Sequence, residues 1–99
     1  MKIQKTQDGE KLTFALEGRL DTTTAPQLQD ALIPAFDEAG DVVLDFASLA
    51  YVSSAGLRVL LMGQKTAKAK GVAMTLTSVP PEIMEVFEMT GFNSIFNIS

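Results

Sequence analysis

The 99-residue sequence predicts one α/β domain over residues 1–99, with a mixed β-sheet and flanking helices in the order β-β-α-β-α-β-α-β. Three observations predict this class. Loosely alternating apolar residues on both sides of Asp8-Gly9 indicate a β-hairpin, apolar residues recur at helical spacing in three later segments, and short apolar runs follow these segments. A hairpin followed by alternating helices and strands is typical of a mixed sheet.

The first two strands are expected at residues 2–7 and 11–17, where apolar residues alternate loosely. Asp8 and Gly9 lie between them and predict a two-residue type I′ turn, because both central positions of that turn need a positive φ. The strand pattern stops at residues 18–24.

The first helix is expected to begin at the three threonines Thr22–Thr24, one of which acts as the N-cap, with Pro26 in the first turn. Pro34 is expected to kink the helix or loosen a turn, and Gly40 to end it. The apolar positions at helical spacing are Leu28, Leu32, Ile33 and Phe36.

The almost wholly apolar run Val42–Phe46 is typical of a central strand, and residues 47–52 are expected to form a connecting loop. Apolar residues at helical spacing predict a second helix over Ser54–Lys70, which ends at Gly71.

A fourth strand is expected at residues 72–77, where apolar and small polar residues alternate. A third helix begins at Pro80-Pro81-Glu82 and ends at Gly91, because proline suits the first turn and glycine the C-terminal end. Residues 95–98 are expected to form a last strand.

Composition excludes several function classes. The chain has no cysteine and no histidine, which removes thiolate chemistry, the commonest general base and the commonest metal ligand. A net charge of −4 disfavours direct binding of nucleic acid or of an anionic membrane. No apolar run approaches the ~20 residues of a membrane span, and no signal peptide precedes the domain, so we expect a cytoplasmic protein.

The stretch Tyr51–Leu61 places two serines and a glycine between two apolar runs. It lacks the Gly-x-Ser-x-Gly pattern of a hydrolase, and no histidine can act as the base. Ser53 and Ser54 therefore have two interpretations. Either serine can cap the helix, with Gly56 allowing close approach of helix and sheet. Alternatively, a hydroxyl at this helix start can accept a phosphate that the helix dipole tolerates and that an interface does not.

Three segments carry a resemblance to a known family. The central one is LAYVSSAGLRVL, residues 49–60; EGRLDTTTA, residues 17–25, and FEMTGF, residues 87–92, match in order and interval. Together they resemble STAS domains, especially the bacterial anti-sigma factor antagonists, over nearly the whole chain.

The resemblance implies partner switching. An unphosphorylated antagonist binds an anti-sigma factor that is a serine kinase, phosphorylation on serine releases it, and a phosphatase restores binding. By position the phosphoacceptor is Ser54. The expected partner-binding residues are Asp21, Thr22, Ser53, Ala55, Gly56, Leu57 and Arg58. The kinase uses ATP and magnesium, so no cofactor, metal or catalytic residue is expected in this chain.

Two alternatives remain open at this stage. Related domains are unphosphorylated accessory subunits of signalling scaffolds or lipid-transport complexes, and a small phosphotransfer enzyme is the least favoured interpretation. An apolar face left uncovered on the sheet or on the third helix is a candidate surface for a homodimer or for a partner.

Overall fold

The computed structural model describes all residues 1–99 and contains one five-stranded mixed sheet, with the strands in sequence order. The predicted fold class and order of elements are confirmed. The elements are β1 (Lys2–Asp8), β2 (Lys11–Leu20), α1 (Ala25–Ala35), β3 (Asp41–Val52), α2 (Ser54–Lys70), β4 (Ala73–Thr77), α3 (Pro81–Thr90) and β5 (Asn97–Ile98), with a 3₁₀ turn at Phe92–Ser94. β1 is antiparallel to β2, and all later neighbours are parallel.

The hairpin turn lies one residue further along than the sequence predicts. Asp8 pairs with Lys11, so the two loop residues are Gly9 and Glu10. Only Gly9 has a positive φ, of 62°. This is the φ pattern of a type II′ turn, whose first central residue is glycine, and the predicted type I′ turn is wrong.

All three helices cover the same face of the sheet. One buried cluster joins the inward residues of the strands to apolar residues of every helix, such as Leu28, Leu60 and Phe87. The inward residues of the three central strands are Leu12, Phe14, Leu16, Val42, Leu44, Phe46, Met74 and Leu76. Such a layer of helices on one face leaves the opposite face without a covering element.

The opposite face of the sheet consists of small and polar residues. Val43 is 8% exposed and is the one buried apolar side chain outside the core cluster. Its neighbours in the paired strands are Thr13 and Thr75, which are half-buried. The uncovered face is therefore not a continuous apolar surface.

Residues 47–52, predicted as a loop, belong to β3. They pair with the second half of β2, and the register shifts between Ala15 and Glu17 and again between Gly18 and Arg19. Each shift adds one residue to β3, so burial after Phe46 recurs every third residue instead of every second. Because of these bulges, the second half of β3 lacks the strict alternation by which a strand is recognised in a sequence.

The first helix ends earlier than predicted, and the effect of Pro34 falls on the last turn. Pro34 lies in the last turn, after which the N–H groups of residues 36–38 donate to carbonyl groups three residues earlier. These tighter turns end the helix at Ala35. Gly40 lies beyond this end, and its N–H donates to the Glu10 carbonyl at 3.1 Å.

The remaining boundaries agree closely with the prediction. α2 ends at Gly71 and α3 at Gly91, each with a positive φ that closes the helix. The last strand is shorter than expected, since only Asn97–Ile98 pairs with β4. None of these helices combines the length and the apolar character that a crossing of the bilayer requires.

Candidate functional site

The candidate site lies where β2 and β3 end side by side. Leu20 pairs with Val52, and the Ser53 N–H donates to the Leu20 carbonyl at 2.8 Å. The loop after β2 and the first turn of α2 therefore leave the sheet at the same edge. Carboxyl ends of parallel strands are where α/β domains commonly place binding sites.

Ser53 is the N-cap of α2. Its backbone is extended, its Oγ accepts a hydrogen bond from the Gly56 N–H at 3.2 Å, and its carbonyl accepts from Leu57 at 2.9 Å. The capping interpretation of the sequence is therefore confirmed for this serine. Its hydroxyl is engaged in starting the helix.

Ser54 is the first helical residue, and its side chain is exposed. Its hydroxyl has no hydrogen-bond partner in the protein, and the N–H groups of Ser54 and Ala55 have no backbone or side-chain acceptor. These free N–H groups form the positive end of a 17-residue helix. A negative charge added to this hydroxyl would lie beside donors that favour it.

Gly56 lies beneath this surface, against the end of β2. A Cβ at this position would lie 2.7 Å from Leu20 Cγ and 3.0 Å from the Leu20 carbonyl oxygen. The glycine allows α2 to begin directly on β2, as the sequence suggests. Because it is buried, it supports the surface from below.

Asp21 organises the loop after β2. Its Oδ1 accepts hydrogen bonds from the Thr23 hydroxyl at 2.7 Å, the Thr23 N–H at 3.0 Å and the Thr24 N–H at 3.2 Å. The Thr23 hydroxyl is the largest cause that lowers the pKa of Asp21 below 3.8, since these bonds favour the ionised carboxylate. Thr22 is exposed beside this turn.

Thr24 occupies the N-cap position of α1, but its hydroxyl does not cap that helix. Instead, Thr24 Oγ1 accepts from the Asp21 N–H and donates to the Arg19 carbonyl, both at 2.8 Å. The expected threonine cap is therefore absent, and hydrogen bonds between Asp21 and Thr24 form a turn in its place. This turn fixes the loop next to the start of α2.

Arg19 and Tyr51 form a contact that the sequence analysis missed. The guanidinium carbon lies 4.2 Å from the centre of the Tyr51 ring, and the ring is 40% exposed. The two residues are paired between β2 and β3, and Arg19 Nε lies 3.9 Å from Asp21 Oδ2. The sequence does not reveal this pair, because the two bulges of β3 set the register that places the residues opposite each other.

An exposed groove begins at Ser54 and runs along α2. Its first part is a shallow, open depression of about 460 Å³ between the start of α2 and the end of α3, and its second part, of about 320 Å³, is lined by side chains of α2 alone. We call the combined surface the α2 groove. It is lined by Ser54, Leu57, Arg58, Leu61, Met62, Lys65, Thr66, Thr90 and Phe92.

The structure thus places the predicted site residues around one edge. Asp21, Thr22, Ser53, Ser54 and Ala55 surround the start of α2, and Leu57 and Arg58 line the groove. The groove residues beyond Arg58 were not predicted. Those on α2 lie further along the helix than the motif, and Thr90 and Phe92 meet the start of α2 only in the fold. No three Asp or Glu side chains come together as metal ligands. The arrangement can present a hydroxyl and a docking surface.

Comparison with known proteins identifies related sequences over the whole chain. The family model described as "Mlab, STAS domain" matches residues 3–97. BtrV of Bordetella bronchiseptica, named as an anti-sigma factor antagonist, is 36% identical over 100 aligned residues, which cover 100% of this chain and 86% of BtrV. The anti-sigma-B factor antagonist of Bacillus subtilis is 24% identical over 99 residues, with 100% and 91% covered.

Solved structures support the same fold. Unphosphorylated SpoIIAA, an anti-sigma factor antagonist, superposes with a TM-score of 0.83 at 19% identity, covering 99% of this chain and 88% of that one. Phosphorylated SpoIIAA of Bacillus gives a TM-score of 0.77, also at 19% identity, covering 99% and 91%. At this identity the two structures establish the likeness of the fold.

Proposed function

This chain belongs to the STAS domain family, and we propose that it is an anti-sigma factor antagonist whose switch is Ser54. In its unphosphorylated form it binds an anti-sigma factor that is a serine kinase, which frees a sigma factor for transcription. One observation carries the assignment of the switch: the Ser54 hydroxyl is exposed and has no partner, whereas the Ser53 hydroxyl is engaged in capping α2.

The geometry explains how one phosphate could act as a switch. Phosphoserine carries about −1.5 to −2 charges at pH 7. At Ser54 this charge would face free N–H groups and the positive end of α2, so the domain would remain folded. A partner seated over the same residue would lose binding energy, because a new charge would be buried without a matching one.

The partners are therefore proteins. We propose that the anti-sigma kinase phosphorylates Ser54, that a phosphatase removes the phosphate, and that the exchange takes place in the cytoplasm. The proposed role of the chain itself is that of a regulator and not of an enzyme, since it has no histidine to act as a general base for Ser54. ATP and magnesium belong to the kinase.

Phosphate mapping tests the choice of serine. The chain is incubated with the candidate kinase and Mg-ATP, and phosphate is located by mass spectrometry. We expect one phosphate on Ser54, none in Ser54→Ala, and normal modification at Ser54 in the matched control Ser53→Ala. Modification of Ser53 in the wild-type chain would contradict the assignment.

Binding measurements test the interface. Ser54→Ala should bind the kinase with a Kd close to that of the wild type, and Ser54→Asp should weaken binding at least tenfold (about 1.4 kcal/mol). Ser48→Asp, which adds the same charge at another exposed position, is the control and should bind normally. Equal affinities of Ser54→Asp and the wild type would refute an interface over Ser54.

A second candidate is an unphosphorylated accessory subunit of a signalling scaffold or a lipid-transport complex. It is favoured by Ser53, which stands where phosphorylated members of the family often have aspartate. The kinase assay separates the two candidates, since an accessory subunit would take up no phosphate. Neighbouring genes offer a second test: a kinase-like ATPase gene supports the switch, and transporter genes support the subunit.

A further inference from the structure

The charges of this acidic protein are divided unevenly between α2 and the rest of the chain. α2 holds four of the eight basic side chains and none of the twelve carboxylates. The rest of the molecule is therefore strongly acidic, although the net charge is only −4. A helix that carries only cations, on an otherwise anionic molecule, produces a local field that attracts anionic groups.

Two of these cations line the α2 groove without a partner. Arg58 and Lys65 form no ion pair or hydrogen bond with another side chain, whereas Lys70 is paired with Asp37. An ammonium or guanidinium without a neighbouring carboxylate can pair with an incoming anion without first breaking an internal contact. Arg58 lines both parts of the groove, so it lies at the centre of this surface.

Apolar side chains lie between the cations. Leu61 lines both parts of the groove, Met62 is 37% exposed, and Leu57 and Phe92 line the end near Ser54. Apolar contact area beside unpaired positive charge is complementary to an amphipathic segment that carries carboxylates. A bare nucleotide or phosphate would leave this apolar area uncovered.

We propose that the α2 groove binds an acidic amphipathic protein segment, which under the proposed function belongs to the anti-sigma factor. Apolar side chains of the segment pack on Leu61 and Met62, and its carboxylates pair with Arg58 and Lys65. The groove begins at Ser54, so it is continuous with the surface that the phosphate would block. This continuity with the proposed switch favours a protein over an anionic membrane as the occupant.

The position of Arg58 also links the groove to the switch. Residues 54 and 58 are one helical turn apart, and side chains at this spacing are neighbours on a helix. A phosphate on Ser54 and a carboxylate of the partner would therefore compete for the same guanidinium. Phosphorylation would remove an attractive contact in addition to introducing a repulsive charge.

The groove can be tested without the natural partner. Two synthetic helical peptides with identical leucine spacing, one with glutamate and one with lysine at the polar positions, are titrated into the ¹⁵N-labelled chain. We expect the glutamate peptide to shift the amide signals of Leu61, Met62 and Phe92, and the lysine peptide to shift none of them. Equal binding of both peptides, or shifts confined to other surfaces, would overturn the proposal.

Charge reversal tests the groove with the kinase. The double variant Arg58→Glu/Lys65→Glu should raise the Kd at least tenfold. The matched control Lys2→Glu/Lys11→Glu makes the same charge change on exposed residues of β1 and β2 and should change the Kd less than twofold. Circular dichroism verifies that both variants are folded.

The outcomes separate this inference from the proposed function. If Ser54→Asp loses kinase binding and the Arg58/Lys65 variant retains it, the groove proposal fails and the switch stands. If the wild-type chain does not bind the kinase but does bind the glutamate peptide in the groove, the proposed function fails and the proposal of an acidic segment in the groove is retained. Co-sedimentation with phosphatidylglycerol vesicles, lost in the Arg58/Lys65 variant, would instead assign the groove to a membrane and overturn the proposal.

Discussion

Ser53 and Ser54 are adjacent and chemically identical, yet the fold gives them different surroundings. Ser53 is half-buried and its oxygen accepts from the Gly56 N–H, while Ser54 projects into solvent. The difference arises because the helix begins between them, so that one is the cap and the other the first helical residue. The fold thereby gives the Ser53 hydroxyl a structural role and leaves the Ser54 hydroxyl, the proposed switch, without a partner in the protein.

Ser53→Ala should destabilise the protein by about 1 kcal/mol, because the Gly56 N–H loses its acceptor. The free energy of unfolding is measured by urea denaturation. Ser53→Asp should retain most of the stability, since aspartate is an equally good N-cap. Ser54→Ala is the control and should be nearly neutral; a larger loss for it than for Ser53→Ala would reverse the assigned roles.

Asp21 should make stability depend on pH in the acid range. Its pKa in the fold is lowered by the Thr23 and Thr24 bonds, so the folded state binds fewer protons than the unfolded one. Its contribution is therefore fully present well above the unfolded-state pKa and is lost as the pH falls through the lower folded-state value. The free energy of unfolding is measured by denaturation between pH 2 and 6, about the range of carboxyl titration. It should fall less steeply with decreasing pH for Asp21→Asn than for the wild type.

At the scale of elements, α3 and the C-terminal segment are attached to the sheet by aromatic contacts. Phe87 is fully buried, with its ring centre 6.3 Å from Phe46 of β3 and 5.3 Å from Phe96. Both contacts are edge-to-face. Phe87 thus joins a helix, a central strand and the residues that lead into β5.

Phe87→Ala should cost about 3–5 kcal/mol, because it leaves a cavity beneath α3. That loss can exceed the stability of a small domain, so Phe87→Leu provides a milder variant that stays folded. Met89→Ala on the same helix, at a position 80% exposed, is the control and should change stability by less than about 0.5 kcal/mol. Urea denaturation compares them, and equal losses for both helix positions would be inconsistent with this packing.

The elements that the sequence predicted well are those with a regular period and clear ends. α2 and α3 follow this rule, since Ser53 precedes one and Gly71 and Gly91 close the two helices. The second half of β3 was missed because bulges destroy its alternation, and the end of α1 was missed because Pro34 shortens it. Local pattern does not reveal features that depend on pairing with another strand.

The candidate site likewise has one part that the sequence predicts and one part that it does not. Ser53, Ser54 and the neighbouring residues of α2 could be predicted because they are consecutive in the chain. The α2 groove could not, since Thr90 and Phe92 reach it only through the packing of α3 and the turn that follows. The Arg19–Tyr51 contact was likewise hidden, because it requires the register of β2 against β3.

At the scale of the whole molecule, the helices lie on one side of the sheet, and the other side bears threonines, small residues and scattered charges around Val43. A stable homodimer buries about 800 Å² per subunit, with an apolar centre. The uncovered face lacks such a centre. The homodimer that the sequence left open therefore has no strong interface on this face.

Sedimentation at micromolar concentration should accordingly show no dimer that forms through this face. Thr13→Lys/Thr75→Lys, which adds two charges to the uncovered face, should leave the sedimentation coefficient unchanged. Met89→Asp separately tests α3 as a dimer interface, because Met89 is the most exposed large apolar side chain. A concentration-dependent dimer that the threonine variant dissociates would show that the uncovered face is an interface after all.

The uncovered face of the sheet is also a suitable place for attaching a label or a support. Because the chain lacks cysteine, a single thiol introduced at Thr13 or Thr75 would be the only reactive one, suitable for a dye or for attachment to a sensor chip. Molecules attached through this residue would share one orientation, with the uncovered face of the sheet towards the chip and α2 towards the solution. The fold thus supplies an oriented reagent for finding whatever protein docks on the opposite side.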